Sequence, residues 1–162
     1  MQSGQGCTVV YAASGDLALA GNNEDAYNPL TRVWFIPASD GKHGRVYFGY
    51  DDRLPQGGMN SQGLFFDMLY LPYKASVISA QKPDFPGGTL AMLDEVMAEG
   101  STVDEAVAVY EQYSRPDMEA GELFFGDRIG NSAVIEGDAV IRKRGSYQVA
   151  TNFRLSEFPD PP

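Results

Sequence analysis

Cys7-Thr8-Val9-Val10-Tyr11 is the stretch on which the reading of the chain turns. It carries the only cysteine, at the head of an apolar, β-branched run, behind a leader of small and polar residues from Met1 to Gly6. β-Branched and aromatic side chains favour extended backbone, so Cys7 to Ala13 is expected as a strand. A thiol attacks as thiolate, and at neutral pH it needs a base or a lowered pKa. The one histidine, His43, sits in a Gly41-Lys42-His43-Gly44 turn. A second base appears if the leader is removed. The freed α-amine of Cys7, with a pKa of roughly 7.7–8.0, would sit on the same residue as the thiol. The competing reading of a lone cysteine is a small buried hydrophobe.

Composition bounds the rest. A chain of 162 residues suits a single domain with a real core, here residues 7–162 behind a leader or propeptide remnant at 1–6. The net charge of −10 argues against nucleic acid as a partner. No run approaches the roughly 18 apolar residues of a membrane-spanning helix. One cysteine excludes a disulfide framework and a cysteine-clustered zinc site. The leader lacks the charged and apolar regions of a signal peptide, yet Gly4 and Gly6 place small residues before Cys7 as a processing site would. The compartment stays open: periplasmic or secreted if an export signal precedes Cys7, otherwise cytoplasmic. Homo-oligomerisation stays open too.

Working outward, Ser14-Gly15-Asp16 reads as a tight turn that returns Leu17 to Asn22 as the second arm of a hairpin. That arm delivers the polar run Asn22-Asn23-Glu24-Asp25 near the start of the first strand. Thr31 to Ile36 and Arg45 to Tyr50 are expected as strands. Gly57 to Gly63 reads as a glycine-bracketed loop feeding Leu64 to Leu69, an apolar run suited to a strand buried on both faces. Leu90, Met92, Leu93, Val96 and Met97 recur at helical spacing, and Gly100 ends that helix. Thr102-Val103-Asp104-Glu105 is a capping box opening a second helix, which carries Val103, Ala106, Val107, Val109 and Tyr110. Strands resume over 122–126, 132–136, 139–142 and 147–152. Antiparallel strands around one helical pair make an α+β domain.

Four landmarks in this order resemble the cysteine N-terminal-nucleophile (Ntn) hydrolases, the choloylglycine hydrolase, penicillin V acylase and acyltransferase group. Cys7-Thr8 looks like the family's mature N-terminus. Gly21-Asn22-Asn23-Glu24-Asp25 is similar to its Gly-Arg-Asn-x-Asp segment. Gly58-Met59-Asn60-Ser61-Gln62-Gly63-Leu64 resembles its Gly-Met-Asn-Glu-Lys-Gly-Leu loop. Gly130 to Glu136, followed by Thr151-Asn152, resembles its Gly-x-Ser-x-Val-x-Glu strand and the Thr-Asn after it.

The resemblance implies a four-layer αββα sandwich, incomplete in this chain because the family's catalytic chains are longer. It implies hydrolysis of a linear amide in a small N-acyl compound, without metal or cofactor. Cys7 would be nucleophile through sulfur and base through its freed amine, which implies autoprocessing. Asp25 falls on the aspartate that holds the amino-terminal centre. Asn152 falls on an oxyanion-hole asparagine, and Tyr70 on the residue whose backbone N–H is the second donor. The family's arginine is Asn22 here. A guanidinium beside the thiol favours thiolate, so its loss slows or redirects the chemistry. The alternatives are an acyltransferase on the same scaffold and a catalytically silent domain that binds an acyl or aromatic ligand.

Overall fold

The structure, a computed structural model, describes residues 6–25 and 27–158, so all of the expected leader but Gly6 lies outside the described residues. In chain order the strands are β1 (Thr8–Ser14), β2 (Leu17–Asn23), β3 (Arg32–Ile36), β4 (Arg45–Gly49), β5 (Pro55–Asn60) and β6 (Phe65–Tyr70). Helices α1 (Gly88–Glu99) and α2 (Val103–Gln112) follow, then β7 (Gly121–Gly126), β8 (Ser132–Ile135), β9 (Val140–Arg142) and β10 (Tyr147–Thr151). All the strand pairs are antiparallel. They form a seven-stranded sheet in the order β3-β4-β5-β6-β7-β8-β9 and a three-stranded sheet in the order β10-β1-β2.

β6 and β7 lie at the centre of the large sheet, and their side chains alternate between two cores. Phe66, Leu123 and Phe125 face the helices, packing with Met92, Leu93, Val96, Met97, Val107 and Tyr110. Phe65, Leu69 and Phe124 face the small sheet, packing with Cys7, Val9, Tyr11 and Ala150. The molecule is therefore α, β, β in layers. Fully burying one such Phe or Leu contributes roughly 1.5–3 kcal/mol, which is why these strands are apolar on both faces apart from Asp67 and Glu122. The other face of the small sheet is exposed, with Val10, Leu19 and Tyr147 at 41, 60 and 55 % of full exposure. Among the described residues no helix covers it, so of the four layers expected three are present.

The helical pair forms as the sequence reading expects. Thr102 Oγ1 accepts from the Glu105 N–H, and Glu105 Oε2 accepts from the Thr102 and Ser101 amides. Asp127 Oδ2 accepts from Val103 N, which ties the start of α2 to the turn after β7. No helix among the described residues is long and apolar enough to cross a membrane.

One expectation fails. The first part of the stretch read as a glycine-bracketed loop, Gly57 to Asn60, belongs to β5, an interior strand of the large sheet. The glycines are there because the strand is crowded. A Cβ on Gly57 would lie 2.1 Å from the Phe48 ring, and one on Gly58 would lie 2.4 Å from the Val46 carbonyl oxygen. Glycine in a strand interior marks close approach as readily as a turn. The turn proper is shorter and is organised by Asn60, 4 % exposed. Its Oδ1 accepts from Gln62 N and Leu64 N, and its Nδ2 donates to Met97 O and Gly100 O. That fills all four hydrogen-bonding places of the amide and pins the turn to the end of α1.

Candidate active site

The hairpin register builds the site. β1 pairs Thr8 with Asn23 on one side and with Thr151 on the other. The next residue on each strand, Cys7, Glu24 and Asn152, therefore meets at one edge of the small sheet. Cys7 Sγ donates to Glu24 Oε2 at 3.4 Å. Cys7 N, here an amide bonded to Gly6, donates to Asn152 Oδ1 at 2.5 Å, and Thr151 Oγ1 donates to Cys7 O at 2.7 Å. Gly6 N donates to Asp25 Oδ2 at 3.4 Å. Asn152 Nδ2 donates to the Tyr70 carbonyl at 2.7 Å, which brings the end of β6 to the same place.

Cys7, Asp25, Tyr70 and Asn152, spread along the chain, thus line one cleft of about 370 Å³. Glu24, Tyr27 and Tyr50 complete it with the carboxamides of Asn28 and Gln56. On the far side of Gln56 and Tyr70, which line both spaces, lies an apolar cavity of about 400 Å³ between the end of the large sheet and α1. Leu54, Met68, Leu90, Leu93, Met118 and Leu123 are among its walls. His43 is elsewhere: its amide bonds Ala98 O at the end of α1 and its ring approaches Ser101, so it is not a partner for the thiol.

The electrostatics hold the sulfur as a thiol. Burial raises the Cys7 pKa; the Asp25 backbone amide partly offsets this, while the charges of Glu24 and Asp67 raise it further. Asp67 is on β6, 1 % exposed, and no well-formed hydrogen bond reaches its carboxyl oxygens, which lie beside Glu24 and the Asn22 carboxamide. Burial first, and then the neighbouring Glu24 charge, push its pKa far above the usual carboxylate range. Tyr50 is raised by burial and by Glu24 and stays a neutral phenol.

Sequence reasoning missed Glu24 as a neighbour of the sulfur, although the information was present. Ser14 faces Leu17 across the turn, and counting back along that register sets Cys7 opposite Glu24. Asp67 carries no such mark, since it sits in an apolar run whose facing sheet is distant in sequence.

No family model matches the chain, and no curated protein matches it. Solved structures do. A mutant of conjugated bile acid hydrolase from Clostridium perfringens superposes with a TM-score of 0.65 at 21 % identity, covering 91 % of this chain and 53 % of that one. Penicillin V acylase from Agrobacterium tumefaciens gives 0.58 at 21 %, covering 90 % and 49 %. The N-acylethanolamine-hydrolyzing acid amidase ortholog of Caenorhabditis elegans gives 0.63 at 12 %, covering 93 % and 72 %. The chain spans about half the length of the first two. What it has in common with them is the fold: this is an α+β chain of Ntn-hydrolase architecture.

Proposed function

We propose that the protein hydrolyses a linear amide in an N-acyl compound, through an acyl-thioester on Cys7, once the Gly6–Cys7 bond is broken. The observation that carries this reading is the convergence of Cys7, Asp25, Tyr70 and Asn152 on one cleft beside an apolar cavity. The freed Cys7 amine, held by Asp25, takes the proton from Sγ. The thiolate attacks the amide carbonyl, whose oxygen becomes negative. An Asn152 amide has two N–H groups, so one can hold the Tyr70 carbonyl while the other faces that oxygen. The Tyr70 N–H is the second donor. The Cys7 ammonium then protonates the leaving amine, and water, deprotonated by the same amine, releases the acid from sulfur. Donors fixed in place beforehand stabilise the transition state more than the substrate. The apolar cavity supplies room for the acyl group, and Gln56 and Tyr70 form the threshold between the two halves of the substrate.

The test compares protein beginning at Cys7 with protein retaining Gly6, and with Cys7→Ala beginning at the same position. Each is offered a panel of N-acyl amides, with the acyl-enzyme trapped by hydroxylamine and followed by mass. Turnover only by protein with a free Cys7 amine is expected. Equal turnover with Gly6 attached overturns the amine as base, and turnover by Cys7→Ala overturns the nucleophile. Transfer of the acyl group to an added amine in place of water would identify the acyltransferase instead.

A further inference from the structure

The Gly6–Cys7 peptide is held on both sides. Gly6 N donates to Asp25 Oδ2 at 3.4 Å, Cys7 N donates to Asn152 Oδ1 at 2.5 Å, and Thr151 Oγ1 donates to Cys7 O at 2.7 Å. The Gly6 carbonyl lies between those two nitrogens, and Cys7 Sγ can close a ring onto it through its own Cβ, Cα and N. Space around Gly6 is open, since a Cβ built there would meet nothing within 4 Å. While this peptide is intact Cys7 has no α-amine, so the proton on sulfur needs another acceptor. Glu24 Oε2 is in contact with that sulfur at 3.4 Å. Its other oxygen, Oε1, accepts from the Asn22 carboxamide at 3.2 Å, which fixes the direction of the carboxylate. The Asp25 backbone amide donates to the same sulfur. Two consecutive residues thus give Sγ a proton acceptor and a hydrogen-bond donor.

We propose that Glu24 is the general base for release of the residues ahead of Cys7, an assignment that rests on the reading of Cys7 as an amino-terminal nucleophile. Oε2 takes the proton from Sγ as the sulfur bonds to the Gly6 carbonyl carbon. When the tetrahedral centre collapses, the C–N bond breaks and the proton passes from Oε2 to Cys7 N. Gly6 is left as a thioester on sulfur. Water adds to that thioester, Gly6 departs as a carboxylic acid, and Cys7 keeps its thiol and a free amine. The charges suit this transfer. Burial, and after it the Glu24 charge, holds the sulfur protonated against the offset from the Asp25 amide. Moving the proton onto Glu24 removes that charge in the same step in which the sulfur needs it gone. Asp67, beside Glu24, is itself kept protonated by burial, so it does not add a second full charge. In the mature protein the amine replaces Glu24 as the base.

The test follows the full chain from Met1, made by cell-free synthesis, by intact mass over time. The parent is expected to lose residues 1–6 and to begin at Cys7, with hydroxylamine capturing the thioester as a Gly6 hydroxamate. A positioned general base contributes roughly 10²–10⁴-fold, so Glu24→Gln should slow release by about 10²-fold or more. Added formate should restore part of the rate in Glu24→Ala, because a small carboxylate can occupy the vacated place, and should do nothing for Cys7→Ala. A parent that keeps residues 1–6, or release by Glu24→Gln at the parent rate, overturns the proposal. Slow release by Glu24→Ala that formate leaves unchanged makes Glu24 a structural residue and overturns it too. The hydrolase reading is judged separately, on protein produced with Cys7 already first and offered N-acyl amides. Glu24-dependent release without cleavage of any of them upholds the base and defeats the hydrolase. Turnover by that protein, with no self-release by the full chain, upholds the hydrolase and defeats the base.

Discussion

At the residue scale the site rests on side chains that each serve two partners, and substitutions should separate those services. Asn152 accepts from Cys7 N through Oδ1 and donates through Nδ2. Asn152→Asp keeps the acceptor and removes the donor, whereas Asn152→Ala removes both. Loss of one oxyanion donor costs roughly 10²–10³ in kcat, about 2.7–4 kcal/mol. Both variants should fall by about that factor with little change in KM, and steady-state kinetics on protein beginning at Cys7 measures it. A full rate in Asn152→Asp would remove Asn152 from the oxyanion hole. Asp25→Asn should act on pH. A carboxylate beside the amine stabilises its protonated form, so losing it lowers the amine pKa and moves the acidic limb of the pH–rate profile to lower pH. An unmoved profile leaves Asp25 as a turn residue. The meeting of Cys7, Asp25, Tyr70 and Asn152 in one cleft was legible through family motifs, and Glu24 beside the sulfur through the hairpin register, but Asp67 was not, because its place depends on which sheets meet.

At the element scale most boundaries followed from local chemistry. The Thr102 capping box, the β-branched runs and the Ser14-Gly15-Asp16 turn each use residues whose preference agrees with the fold. Thr102→Ala should therefore cost about 1 kcal/mol, within roughly 0.5–2 kcal/mol, read from chemical denaturation. β5 was illegible for the opposite reason: its glycines answer to neighbouring strands rather than to their own backbone. Gly58→Ala forces a Cβ against the Val46 carbonyl oxygen, a backbone atom that cannot swing aside. Overpacking of this kind costs roughly 1–3 kcal/mol. Gly145→Ala, with nothing within 4 Å of its Cβ position and no left-handed backbone, is the control and should leave the midpoint nearly unchanged. Equal effects from the two substitutions would return 57–60 to the status of an ordinary turn.

At the scale of the whole molecule, the two sheets close over more than apolar side chains. Glu122, on β7 and 0 % exposed, sits on the inter-sheet face opposite Leu69 with neither carboxyl oxygen hydrogen-bonded. Burial, then the charge of Glu136, push its pKa up to about 9, against a partial offset from Arg154. In the unfolded chain a glutamate titrates near 4.3. Between these values the folded state holds a proton that the unfolded state has released. The stability this proton brings is complete below the unfolded pKa and is lost as pH rises towards about 9. The slope is at most about 1.4 kcal/mol per pH unit for one group, and structural relaxation or water entry reduces it. Glu122→Gln has no proton to lose at this position. Its stability relative to the parent should therefore climb steadily from pH 5 to pH 9, whatever the offset at the acid end. Urea denaturation of both proteins at five pH values across that range gives the slope. A difference that stays flat with pH would mean that Glu122 is ionised inside the fold, and that Arg154 compensates it fully.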